Sequence, residues 1–112
     1  MRKQLFVLFN FNKGIFTHIL LNVLDLAEKG YEAGVIFESE ACKFVKEFEG
    51  KKFKKFEQVK EKKLIYAVCE VCAKSMNALD SARRQGLPIN GELSGHPPLR
   101  SWIKLDYDVM LI

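Results

Sequence analysis

Two cysteines separated by two residues, Cys69 and Cys72, are the side chains whose type and spacing point most directly to chemistry. The apolar run before them predicts a buried strand over 64–69, and the residues after them predict a helix over 71–85. One thiol therefore lies where a strand ends and the other in the first turn of a helix, where unpaired N–H groups and the helix dipole favour an anion. Because the thiolate is the reactive form of cysteine, this placement predicts sulfur chemistry.

The two thiols have different predicted roles. Cys69 is the candidate nucleophile, with a pKa that the helix N–H groups lower from its usual value, although Glu70 opposes that shift if its carboxylate faces the sulfur. Cys72 is near enough to form a disulfide with Cys69 or to resolve a sulfenic or persulfide sulfur. Each also has a structural alternative, as a small buried core residue or a helix residue that faces the core.

Candidate substrate-binding residues follow the other predicted strands. Asn10, Cys42 and His96 all lie in such segments, and in parallel sheets ligands bind at the carboxyl ends of the strands. His96 could orient or protonate a substrate, and the alternatives are a surface histidine and a half-buried, structural Cys42. No metal site is predicted, because structural zinc usually needs two cysteine pairs, and Cys42, His18 and His96 lack metal spacing to Cys69 and Cys72.

The elements that must position these residues alternate between strand and helix. Strands are predicted over 4–9, 32–37, 64–69 and 108–112, with a short strand or extended loop over 88–94. Helices are predicted over 13–29, 40–49 with Ser39 as its cap, 71–85 and 97–104, and a further helix or turn is predicted over 52–62. This pattern predicts an α/β three-layer sandwich, with a mainly parallel sheet of about five strands and helices on both faces. It leaves the strand order open.

Length and composition predict one domain over residues 1–112. The chain has 48% hydrophobic and 29% charged residues, with no linker and no internal repeat. The apolar run near the N-terminus has only five residues, too few for a signal peptide, and no stretch is long enough to cross a membrane. Three cysteines suggest no disulfide framework, so we expect a cytoplasmic protein. Gly14 stands alone, without a glycine-rich phosphate loop, so no cofactor is predicted.

The region between Lys43 and Lys63 holds nine of the 18 basic residues, four glutamates and four phenylalanines. It predicts an amphipathic helix or helix pair with a phenylalanine core and a solvated lysine face. The alternative is a surface for nucleic acid or an acidic partner. The interleaved glutamates dilute the positive field, so nucleic acid is disfavoured as a partner.

The segment from Leu64 to Met76 resembles the DsrE/DsrF-like family of sulfur-relay proteins. That family often shows an apolar strand, then Cys-Gly-x-Cys, then a helix with Ala-Arg-Gly. Here Glu70 replaces the glycine, and Ser75-Met76-Asn77 stands where Ala-Arg-Gly is frequent. A glycine-bearing loop, a short helix around Trp102 and a closing apolar strand also fit the family's layout.

This resemblance implies a small α/β fold, frequent homo-oligomers and a cysteine that accepts and passes on persulfide sulfur, a role that falls on Cys69. The leading hypothesis is therefore a persulfide carrier or transferase acting through Cys69, with sulfur donor and acceptor proteins as partners. Two alternatives stay open. One is a dithiol redox protein or sensor that uses Cys69 and Cys72, and the other is a non-catalytic, oligomeric binding protein.

Overall fold

A parallel sheet is the centre of the molecule. The computed structural model describes residues 2–50 and 53–112, and within them the chain forms five strands and six α-helices. The strands are β1 (Lys3–Leu8), β2 (Glu32–Phe37), β3 (Ile65–Cys69), β4 (Ile89–Asn90) and β5 (Asp108–Leu111). The helices are α1 (Lys13–Glu28), α2 (Cys42–Glu47), α3 (Lys54–Glu61), α4 (Glu70–Ser75), α5 (Leu79–Arg84) and α6 (Arg100–Ile103). The order is β4-β3-β2-β1-β5, every neighbouring pair is parallel, and the predicted α/β class is confirmed.

The two faces of the sheet are covered unequally. Side chains alternate across a strand, so Phe6 and Leu8 of β1 join the larger core cluster, and Leu5 and Val7 join the smaller one. Strands β1 to β4 are neighbours in chain order, so right-handed crossovers bring α1 to α5 to one face. The connection from β4 to β5 returns across the sheet and places α6 on the other face. The prediction of helices on both faces is confirmed.

A stack of phenylalanine rings fills the larger core. Phe16 of α1 is fully buried, and its ring centroid lies 4.0 Å from that of Phe44 and 5.5 Å from that of Phe48. Phe53 and Phe56 pack against the same ring. The basic, phenylalanine-rich region therefore forms two short helices, α2 and α3, whose aromatic side chains belong to the core. Residues 51 and 52, which include the predicted start of a helix or turn at 52, lie outside the described residues.

Two local predictions were wrong. The helix predicted over 71–85 is divided into α4 and α5, because Asn77 adopts a left-handed conformation (φ 57°) and the Ala78 N–H donates to the Ala73 carbonyl. Ser39 does not cap a helix with its side chain; it also has a positive φ (49°) and opens a single 3-10 turn over Ser39–Ala41, which leads into α2. None of the described helices has the length and apolar character needed to cross a membrane.

Candidate functional site

Four side chains converge at the carboxyl edge of the sheet. They belong to Glu38, Cys69, Cys72 and His96, and one potential ligand atom of each lies within 4.8 Å of the other three. We call these four side chains the thiol–histidine cluster. The cluster contains both cysteines that the sequence singled out, together with one of its three candidate substrate-binding residues.

Parallel strand pairing brings the first three of these residues together. Glu38 directly follows β2, and Cys69 is the last residue of β3. The two strands are neighbours, with Phe37 opposite Val68, so their carboxyl ends lie side by side. Cys72 follows Cys69 by almost one helical turn and therefore returns to the same side of α4.

The fourth residue is held by a tight loop docked on α4. Leu93 and His96 exchange two backbone hydrogen bonds of 2.8 Å, and the Gly95 carbonyl accepts a hydrogen bond from the Val71 N–H (3.0 Å). Gly95 has a φ of +96°, and a Cβ at this position would lie 2.9 Å from the Val71 Cβ. Glycine is therefore needed for this close approach, which sets the position of the His96 ring.

The His96 Nδ1 atom lies at the centre of the cluster's contacts. It is 3.1 Å from the Cys69 Sγ, 3.9 Å from the Cys72 Sγ and 3.4 Å from the Glu38 Oε1. The Cys72 thiol donates to the same Glu38 oxygen (3.5 Å). The Cys69 thiol donates to the Gly95 carbonyl oxygen (3.5 Å). Each sulfur thus has at least two polar partners.

Access to the cluster is uneven. The Cys69 side chain is fully buried (0% exposed) and Glu38 is buried, whereas Cys72 is half-buried and the His96 side chain is 46% exposed. A molecule arriving from solvent therefore meets His96 and Cys72 before it reaches Cys69. The buried nucleophile that the sequence favoured has a more accessible thiol beside it.

The prediction that the pKa of Cys69 is lowered was wrong. Burial raises the pKa of the Cys69 thiol well above its usual value, and the neighbouring Cys72 thiol and Glu38 carboxylate act in the same direction. The Cys72 backbone N–H favours the thiolate but does not outweigh burial. The carboxylate near the sulfurs is thus that of Glu38. The Glu70 side chain lies against Gly91, where its Oε1 would be in close contact with an added Cβ.

The other two candidate substrate-binding residues lie outside the cluster. Asn10 is exposed in the loop after β1. Cys42 is fully buried at the start of α2, where its thiol donates to the Phe37 carbonyl (3.5 Å). Burial raises the pKa of Cys42 to about 12, with smaller contributions from Cys72 and Glu38. This environment favours the structural interpretation of Cys42, and a substrate contact by Asn10 stays a prediction.

Sequence reasoning missed Glu38. Its position could have marked it as a candidate, because Glu38 directly follows a predicted strand, as the segments that hold the other candidates do. What made it a partner of the thiols is the pairing of β2 with β3, which the sequence left open. Only with Glu38 does the cluster reach four potential ligands.

Comparison with known proteins extends these observations. The fold and the cluster define a small α/β protein with a pair of thiols where an interior strand passes into a helix. The uncharacterized protein MJ0733 of Methanocaldococcus jannaschii is 31% identical over 102 residues, which cover 88% of this chain and 81% of that protein. The chain belongs to the family of this archaeal protein.

Structural comparison supports the fold alone. A conserved protein of unknown function from Bacteroides thetaiotaomicron, BT1422, superimposes with a TM-score of 0.64 over 98% of this chain and 95% of that one, at 16% sequence identity. No family model matches the chain. The resemblance to DsrE/DsrF-like proteins therefore stays a prediction.

Proposed function

We propose that this protein is a cytoplasmic sulfur carrier of the DsrE/DsrF-like type, which takes up sulfane sulfur on the Cys69–Cys72 pair and passes it to a partner protein. The observation that carries the proposal is the meeting of both sulfurs with His96 at the carboxyl edge of the sheet. Such chemistry needs free thiols, which a reducing compartment maintains.

The uptake step is a displacement at sulfur. A cysteine thiolate attacks the outer sulfur of a donor persulfide, so a new S–S bond forms on the protein and the donor's S–S bond breaks. The electron pair of the broken bond leaves with the donor sulfur, which takes a proton and becomes a thiol. His96 contacts both sulfurs through Nδ1 and is placed to hold the proton that the attacking cysteine releases.

Burial leads us to assign the uptake step to Cys72. The Cys72 side chain is half-buried, while Cys69 has no exposed surface. An acceptor thiolate then attacks the outer sulfur on Cys72 and regenerates the Cys72 thiol. Without an acceptor, Cys69 attacks the Cys72 Sγ and expels hydrosulfide, and the resulting disulfide needs a two-electron dithiol reductant to reopen.

Intact mass spectrometry of the reduced protein, treated with inorganic polysulfide in the presence of a metal chelator, tests this proposal. We expect the wild type to gain the mass of one sulfur atom and then to lose it as the internal disulfide forms, and we expect Cys72→Ser to gain none. Cys69→Ser should gain the adduct and keep it longer, because no internal disulfide can displace it. Cys42→Ala is the control and should behave like the wild type, since the Cys42 thiol is fully buried and is not one of the four groups that meet in the cluster.

Two outcomes would contradict parts of the proposal. Equal sulfur uptake by Cys69→Ser, Cys72→Ser and the double variant would exclude the pair as the carrier. Uptake that is lost in Cys69→Ser and retained in Cys72→Ser would make Cys69 the carrier, as the sequence predicted. Our assignment of the uptake step to Cys72 would then be wrong.

A second candidate function, dithiol redox chemistry, is favoured by the separation of the two sulfurs, which lie within 4.8 Å of each other. Cysteines in a Cys-x-x-Cys arrangement at a helix start can close a disulfide with a small change of side-chain torsion. Titration against glutathione redox buffers distinguishes this function. A reversible Cys69–Cys72 disulfide with a defined midpoint potential, and no sulfur adduct on polysulfide treatment, would favour it over sulfur transfer.

We also propose that the protein forms a homo-oligomer through β5. This strand lies at an edge of the sheet, and its Met110 and Leu111 side chains are 50% and 60% exposed. An open strand edge with apolar side chains is a ready site for pairing with a second copy. Light scattering after size-exclusion chromatography should show a dimer or larger species, and Leu111→Lys should shift it toward the monomer. A monomeric wild type would overturn this assignment.

A further inference from the structure

We propose that the thiol–histidine cluster binds one zinc ion, with Glu38, Cys69, Cys72 and His96 as its four ligands. The inference goes beyond the proposed sulfur transfer and does not depend on it. It depends on the arrangement of four donor atoms from three separate parts of the chain.

Four of the distances between the donor atoms lie within about 0.2 Å of the range expected for a tetrahedral zinc site. Zinc bonds of about 2.3 Å to sulfur and about 2.0–2.2 Å to nitrogen and oxygen place tetrahedral ligands roughly 3.3–3.8 Å apart. The distances from the His96 Nδ1 to the Cys69 Sγ, the Glu38 Oε1 and the Cys72 Sγ are 3.1, 3.4 and 3.9 Å. The distance from the Cys72 Sγ to the Glu38 Oε1 is 3.5 Å. A zinc ion therefore fits among these atoms with only small adjustments.

The chemistry of the donors favours zinc over magnesium and calcium. Two thiol sulfurs suit a thiophilic ion and do not suit magnesium or calcium, which prefer oxygen ligands. An imidazole nitrogen and a carboxylate oxygen are both established zinc ligands and complete the set of four. On binding, the two S–H bonds break, two Zn–S bonds form and two protons pass to solvent, without any change of oxidation state.

The fold also holds the ligands in place before any metal binds. Cys69 ends β3, Glu38 directly follows the neighbouring strand β2, and Cys72 lies in the first turn of α4. The His96 loop is fixed to the same helix by the hydrogen bond between the Val71 N–H and the Gly95 carbonyl. Little side-chain freedom is therefore lost on binding, which favours affinity.

Metal titration of the reduced full-length chain tests the site. Zn²⁺ is titrated against a chromophoric chelator, and Co²⁺ is added as a spectroscopic substitute, with no sulfur donor present. We expect one ion per chain, a thiolate-to-cobalt charge-transfer band and the visible bands of tetrahedral Co²⁺. Because outer-shell changes already weaken metal sites by about 10–100-fold, loss of a ligand in Cys72→Ser, His96→Gln or Glu38→Gln should weaken binding by at least about tenfold.

The chain offers matched controls for two ligand types. His18→Gln changes the other histidine, which is exposed on α1, and Cys42→Ala removes the third cysteine, so both should bind zinc like the wild type. Circular dichroism of each variant identifies any failure to fold, and the nearly isosteric Glu38→Gln keeps the test open if a cysteine variant is unstable. Absence of binding, an octahedral Co²⁺ spectrum without a thiolate band, or equal weakening by His18→Gln would overturn the proposal.

The zinc experiment and the sulfur experiment can each contradict its own proposal without affecting the other proposal. The sulfur experiment is performed in the presence of chelator and reads protein mass, whereas the metal experiment contains no donor and reads stoichiometry and ligand type. Zinc binding with no sulfur adduct would leave the site as a metal centre and remove the carrier function. A sulfur adduct with no zinc binding would leave the carrier function in place and overturn the proposed zinc site.

Discussion

Iodoacetamide added to the native, reduced protein at about pH 8 is expected to modify Cys72 and to leave Cys42 unmodified. The thiolate is the reactive form, and burial raises the pKa of Cys42 from 9.0 to about 12, so its thiolate fraction is about a thousandfold smaller than that of an unperturbed thiol. The fully buried Cys69, whose pKa is also raised, should react later than Cys72. Peptide mapping over a time course measures all three rates.

Unfolding provides the control for this experiment. In guanidinium chloride all three cysteines should be modified at similar rates, since burial no longer separates them. Modification of Cys42 as fast as Cys72 in the native protein would contradict the structure. Modification of Cys69 first would show that the accessible thiol is Cys69.

The same raised pKa predicts how stability depends on pH. Cys42 holds its proton more tightly in the folded chain than in the unfolded one, so its contribution is fully present below about pH 9. That contribution is lost as the pH rises from about 9 toward 12, because only the unfolded state can then release the proton.

Replacement of Phe16 by alanine is expected to cost about 3–5 kcal/mol of the free energy of unfolding. Phe16 has no exposed surface, and five other rings pack around it, at centroid distances from 4.0 Å for Phe44 to 6.2 Å for Phe56. The lost transfer energy and the cavity among these rings add to each other. For a domain whose total stability is typically about 5–15 kcal/mol, this change removes a large share. Urea denaturation followed by circular dichroism measures it.

A second phenylalanine variant is the control that distinguishes the effect of burial from the effect of the residue type. Phe9→Ala makes the same change at a side chain that is 38% exposed, so its cost should be about 1 kcal/mol or less. Equal losses for the two variants would mean that the ring stack around Phe16 does not dominate the core.

The two proposed uses of the cluster exclude each other at any moment. A zinc ion bound to both thiolates leaves neither sulfur free to attack a donor. Zinc-loaded protein should therefore take up sulfane sulfur only after the metal is removed. This relation would let metal availability control sulfur transfer at one site.

The sequence by itself determined most of the architecture. Periodicity is a local property, so the strands at 4–9 and 32–37 and the helix at 13–29 were predicted to within about one residue. Alternation of strands and helices then indicated the parallel α/β class. The spacing of Cys69 and Cys72 placed one thiol at the end of a strand and the other in the following helix, as the structure has them.

Tertiary structure decided which residues share the site and whether the pKa of the Cys69 thiol is raised or lowered. Glu38 meets the sulfurs because β2 pairs with β3, and His96 meets them because its loop docks on α4 through Gly95. Both contacts join residues more than 20 positions apart, so no local pattern encodes them. The raised pKa of Cys69 has the same origin, because desolvation comes from the whole packed core and outweighs the helix N–H groups that the local sequence revealed.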